Sequence, residues 1–273
     1  MSEVLLPVGV AVFLHELKPI IKAETAKVIA IFFRCIVLGF CFNYILLQYD
    51  EKISKGFSQY KILICPMFYF VQTPQWLKKV YNKYTWDFFG AKKTIYLTFD
   101  DGPNPTATPF VLNELDKYNA KATFFCIGKN VIEQPDIYNK IISAGHAIGN
   151  HTFNHLNGWK TDNSKYVENI LEAQTCITSD LFRPPYGKVK KAQVKLLHTS
   201  NPNFRVIMWS VLSGDFDKNK TPEQCLKNVI KNAKSGSIIV FHDSDKAFKN
   251  LEYSLPLVLK YFSEKGYQFE KII

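Results

Sequence analysis

The sequence predicts an α/β fold whose strands form a parallel sheet, open or closed into a barrel, behind an N-terminal stretch of different character. Three observations carry this. From Met67 onward, β-rich runs alternate with runs of helical spacing. The joints between them are short, as βα units require. The polar residues able to do chemistry fall just after the strand runs, where a parallel barrel gathers its site on one rim.

The elements follow in order. Thr94–Phe99 (TIYLTF) is a strand, and Thr108–Tyr118 repeats Phe110, Val111, Leu112 and Leu115 at helical spacing. Ala122–Ile127 (ATFFCI) is a strand, and Val131–Ala144 is a helix ended by Gly145. Ala147–Asn150 is a short strand before a helix over Asn163–Ser179, built on Val167, Ile170, Leu171 and Ile177. Leu181–Arg183 is strand-like and is stopped by Pro184-Pro185. Lys190–His198 is helical and Arg205–Ser210 a strand. Thr221-Pro222-Glu223 opens a helix with a capping threonine and a proline in the first turn. Ser237–Phe241 (SIIVF) is a strand, Leu255–Lys265 a helix and Tyr267–Ile272 the last strand.

Residues 1–66 form a separate apolar segment, expected to be helical, and 67–273 the working domain. Val28–Leu47 is apolar apart from Arg34 and Asn43, and about 20 such residues cross a bilayer as a helix. Three readings stay open. The run is a membrane anchor at the cell envelope, or a helix packed on the domain, or a stretch outside the working protein, with translation from Met67 giving a soluble chain. No small-residue cleavage site marks it as a signal peptide. The formal net charge of +10 suits anionic partners such as cell-wall polymers. No dense Lys/Arg stripe or nucleic-acid motif is present, so nucleic acid is not an expected partner. The six cysteines show no CxxC and no zinc-finger spacing, which argues against a disulfide framework. Oligomeric state is not readable.

Candidate chemistry sits at the strand ends. Asp100 and Asp101 follow the first strand, His151 and His155 the third. Arg183 and Tyr186 end the fourth, Asp215 follows the fifth, and His242 and Asp243 end the sixth. In HTFNH, a helical turn or a tight loop would point both imidazoles one way. Two imidazoles and one carboxylate hold Zn²⁺ while leaving a position open for water. Adjacent carboxylates at a strand end point in different directions, so Asp100 and Asp101 take different roles, one on the metal and one as a base. His15, His146 and His198 receive no role.

Together TFDDGP (Thr98–Pro103), HTFNH (His151–His155), RPPY (Arg183–Tyr186), SGDF (Ser213–Phe216) and VFHD (Val240–Asp243) resemble the five ordered motifs of the NodB-homology polysaccharide deacetylases, the fourth family of carbohydrate esterases. The resemblance covers about Met67 to Ile272. It implies a distorted (β/α) barrel and metal-dependent hydrolysis of the acetamide of N-acetylated sugars, in peptidoglycan or chitin oligomers. By position, Asp101, His151 and His155 would bind a divalent metal, zinc in most of the family, with Co²⁺ or another ion as alternatives. Asp100 would be the general base, oriented by Arg183. The Tyr186 backbone N–H would help hold the oxyanion, and His242 would be the general acid, kept cationic by Asp215. One position departs from the pattern: Phe216 stands where the family usually has tryptophan. Trp209, seven residues earlier, is expected to pack in the barrel rather than replace it. The rival readings are an O-acetyl esterase on acetylated polysaccharide, an amidase on a small molecule and a non-catalytic carbohydrate-binding protein.

Overall fold

A computed structural model describes residues 69–273 and, before them, the backbone strands β1 (Ile45–Gln48) and β2 (Lys61–Ile64). The chain divides into two units, Met1–Tyr69 and Phe70–Ile273. In the first, β1 and β2 pair antiparallel, Ile45 opposite Ile64 and Gln48 opposite Lys61. Ile45–Leu47, the end of the apolar run, is therefore strand where a helix is expected. A short apolar run serves either structure, and periodicity alone does not separate them. The remainder of Val28–Leu47 lies outside the described residues. Among the described residues, no helix is long and apolar enough to cross a membrane.

The second unit is a parallel sheet with helices. Its strands are β3 (Thr94–Asp100), β4 (Ala122–Cys126), β5 (Ala147–Asn150), β6 (Leu181–Phe182), β7 (Arg205–Val206), β8 (Val211–Leu212), β9 (Ile238–His242) and β10 (Gln268–Phe269). They lie in the order β7-β6-β5-β4-β3-β9-β8. β10 pairs with Thr94 and Ile95 at the start of β3, and β4 with Leu97 to Asp100 at its end, so β10 and β4 share one edge of β3. β7 and β8 stand at opposite ends of this order, yet only Ile207–Ser210 separates them in the chain. Five peptide steps reach at most about 18 Å. The sheet must therefore curl until its two edges nearly meet, giving the half-barrel form of a distorted (β/α) barrel.

The helices are α1 (Gln75–Val80), α2 (Ala107–Asp116), α3 (Gly128–Glu133), α4 (Pro135–Ser143), α5 (Asn163–Gln174), α6 (Lys191–Ser200), α7 (Pro222–Asn232) and α8 (Phe248–Glu264). Every residue of β4 is buried, as suits a parallel strand covered on both faces. Phe99, between Phe124 at 5.1 Å and Phe241 at 6.1 Å, stacks across the three central strands. Thr221 caps α7 as expected: its Oγ1 accepts from Gln224 N and its own N donates to Gln224 Oε1.

Several expected elements differ, among them the last strand, which is only Gln268–Phe269. The helix over Val131–Ala144 is two helices, broken at Gln134 (φ −130°, ψ 54°), because Pro135 has no N–H and opens α4. The strand expected over Arg205–Ser210 is strand only at Arg205–Val206; beyond it Ile207 bridges to Thr85 and Met208 N donates to Thr85 O. The last helix begins at Phe248 rather than Leu255, with Pro256 inside it.

Candidate metal centre and active site

β3 delivers Asp100 and Asp101 to the rim. Asp101 lies at φ 82°, in the left-handed region, which aspartate tolerates better than most residues. Its carbonyl accepts from Asn130 Nδ2 at 2.7 Å. Gly102 N donates to Asp243 Oδ1 at 3.1 Å, and Gly102 O accepts from Ile127 N at 2.9 Å. Only glycine fits there, since a Cβ would stand 2.0 Å from Asp243 Oδ2.

His151–His155 is a loop, which settles the choice between a helical turn and a tight loop. Thr152 (φ 65°) and His155 (φ 54°) are both left-handed. Asn150 Oδ1 accepts from Thr152 N, and Asn169 Oδ1 from Phe153 N and Asn154 N, so side chains pin the loop's amides. His151 is buried, with Nδ1 2.8 Å from Arg183 O. A carbonyl can only accept, so Nδ1 carries the proton and Nε2 keeps its lone pair. Burial brings the His151 pKa down to about 4, which favours the neutral ring that a metal ligand must be.

These groups converge. Asp101 Oδ1 lies 3.1 Å from His155 Nε2 and 3.6 Å from His151 Nε2, and the three ligand atoms fall within 4.8 Å of one another. Asp101 Oδ1 is buried and accepts no well-formed hydrogen bond; the contact with His155 is not aligned as one. Burial works to raise the Asp101 pKa, but the approach of His155 and the charges of His242, His155 and His151 outweigh it and hold the carboxyl well below its usual range. An orphaned buried carboxylate oxygen facing two imidazole nitrogens is a donor set that fits a divalent cation.

Two further pairs line the same mouth. Arg183 is fully buried, and its Nη1 donates to Asp100 Oδ1 and Thr98 Oγ1, each at 2.7 Å. Its Nε donates to Ile207 O and its Nη2 to Met208 O, so the guanidinium is locked in one orientation. Phe125 lies 4.1 Å and Trp209 5.9 Å from it, which places Trp209 inside the barrel. His242, ending β9, donates N to Asp215 Oδ2 at 2.7 Å, and its Nδ1 lies 2.8 Å from Asp215 Oδ1. Burial opposes the charged ring, but Asp215, helped by Asp101 and Asp100, pushes the His242 pKa up to about 9. The Phe216 ring meets His242 edge-on at 5.1 Å, so it packs against this histidine.

Tyr186 sits in the Pro185–Gly187 turn at φ 60°. Gly187 N donates to Pro184 O and Lys188 N to Pro185 O, which closes the turn around Tyr186. Its half-exposed ring packs 4.6 Å from that of His155. A cleft of about 440 Å³ opens beside Asp101 and His155, walled by Pro103, Asn130, Glu133 and Lys246. Sequence reasoning gave no role to Thr98, Asn130 or Asp243. Asp243 was visible at a strand end, whereas nothing local to Asn130 marks it.

A carboxylate with two imidazoles, set beside an Asp–Arg and a His–Asp pair at the mouth of a parallel sheet, is the class of site that hydrolases assemble. The polysaccharide deacetylase family model matches residues 90–201. A peptidoglycan-N-acetylglucosamine deacetylase of Bacillus cereus is 36% identical over 191 residues, covering 68% of this chain and 89% of that protein. The chain spans less of other relatives, 61% of a second Bacillus cereus deacetylase and 38% of one from Listeria monocytogenes. A chitooligosaccharide deacetylase of Azorhizobium caulinodans is 37% identical over 160 residues, covering 56% of this chain and 74% of that protein. The crystal structure of a peptidoglycan N-acetylglucosamine deacetylase bound to an N-hydroxybenzamide compound superposes with a TM-score of 0.67 at 30% identity, covering 73% of this chain and 95% of that one. The chain belongs to the polysaccharide deacetylase family.

Proposed function

We propose that this chain removes the acetyl group from N-acetylglucosamine units of peptidoglycan at the cell envelope, with Asp101, His151 and His155 holding a divalent ion, zinc by their donor chemistry. One observation supports this most: the buried, unbonded Asp101 Oδ1 faces two imidazole nitrogens, and His151 Nε2 has its lone pair left available by the bond from Nδ1 to Arg183 O. When bound, such an ion supplies Lewis acidity, acidifying water and polarising a carbonyl.

The chain's own residues do the rest. Asp100, fixed by Arg183 Nη1, takes the proton of the attacking water as general base. The Tyr186 N–H is a backbone donor for the oxygen on which negative charge develops, and one such donor is worth about 2.7–4 kcal/mol. An amine leaves poorly as an anion, so His242 protonates the departing nitrogen. Asp215 keeps it cationic up to about pH 9, so the proton is available at neutral pH. The net charge of +10 suits an anionic wall polymer.

Acetate release from peptidoglycan fragments, chitin oligomers and acetylated xylan tests the assignment. Release with a new free amine from the N-acetylated glycans is expected. Release from xylan alone would mean an O-acetyl esterase, and none from any of them a carbohydrate-binding protein.

A further inference from the structure

The Asp101–Gly102 peptide is gripped from two sides by residues outside the metal triad and outside the two acid–base pairs. Asn130, on α3, donates Nδ2 to Asp101 O at 2.7 Å. Asp243, just past β9, accepts from Gly102 N at 3.1 Å. Asp243 is itself immobilised. It is fully buried, its other oxygen accepts from Thr108 Oγ1, and its N donates to Asp100 O at 3.0 Å. Thr108 Oγ1 in turn accepts from Asn104 N at 2.8 Å. Two elements distant in sequence thus close on one peptide unit.

The grip matters because of what that unit carries. Asp101 is at φ 82°, and an L-residue released from such a conformation relaxes towards negative φ. That rotation would swing the Asp101 carboxylate away from His151 and His155. We propose that Asn130 and Asp243 form a paired backbone clamp whose task is to hold Asp101 in ligating position, so that the clamp sets how tightly the triad binds a divalent ion. The clamp rests on the metal role proposed for the triad. Both are positioning residues: the carboxylate is oriented before the ion arrives, and outer partners of this kind change metal affinity about 10–100-fold.

The test is a zinc titration of the metal-stripped full chain against a chromophoric chelator, with the melting temperature of the stripped protein measured alongside. Asn130→Ala and Asp243→Ala should each weaken zinc binding about tenfold or more. Asp243→Asn should recover most of it, since an amide oxygen still accepts from Gly102 N. Should Asp243→Ala fail to fold, half-buried Asn130→Ala and Thr108→Val, which frees one Asp243 oxygen, carry the same test. Zinc constants within about twofold of the parent's, whatever the melting temperatures do, overturn the clamp. A parent chain that binds no zinc overturns the triad, and the clamp with it.

Discussion

His146 stands just before β5 and His151 just after it, and their surroundings are mirror images. Burial brings both rings down to about 4, so both are neutral at neutral pH. His146 Nδ1 accepts from Ala122 N at 3.2 Å and the ring packs 5.4 Å from Phe124, so its proton is on Nε2. His151 Nδ1 donates to Arg183 O at 2.8 Å, so its proton is on Nδ1 and Nε2 is left to face Asp101. The difference follows from strand polarity. Where parallel strands begin they present unpaired N–H groups, and where they end they present carbonyls. The rim carbonyl therefore leaves His151 Nε2 as the nitrogen with a lone pair, and the N–H at the foot of the sheet leaves His146 with its proton on Nε2. A depressed pKa alone does not mark the functional histidine; the partner of each ring nitrogen does.

His151→Ala should break the comparison most sharply. Zinc content and acetate release should both fall to background, while His146→Ala keeps both and lowers only stability. Leaving Ala122 N unpaired costs about 1–3 kcal/mol, to be read from denaturant melts; loss of zinc in His146→Ala would mean that strand polarity does not separate the two roles. Asp100→Asn sharpens the picture at the rim. Zinc should be retained while turnover falls about 10²–10⁴-fold. Loss of zinc instead would exchange the roles of Asp100 and Asp101.

A smaller effect concerns His242, whose pKa rises to about 9. His242 must be cationic to protonate the leaving amine, so turnover should fall as pH rises through about 9. Asp215→Asn removes the charge that offsets burial, and the basic limb of the pH–kcat profile should move to lower pH. An unmoved limb would take Asp215 out of the pair.

Much of this was legible in the sequence because the chain writes it locally. TIYLTF runs straight into Asp100-Asp101, and ATFFC, apolar but for Thr123 and rich in β-formers, reads as an interior strand. The clamp was not legible, because the partners of Asp243 lie 141 residues away at Gly102 and 135 away at Thr108. The use of Asn130 depends on where α3 lands against the β3 turn. The left-handed backbone of Tyr186 runs against its residue type, and only Gly187 beside it hints at a special turn. The end of the expected Arg205–Ser210 strand at Val206 comes with a bridge from Ile207 to Thr85, a pairing that strand propensity does not encode.

The account turns on the ion, and exhaustive chelation followed by acetate-release assays on N-acetylglucosamine oligomers tests it most directly. Turnover should vanish on chelation and return on adding Zn²⁺ or Co²⁺, in step with one ion bound per chain. Undiminished acetate release from protein shown to be free of metal would contradict it.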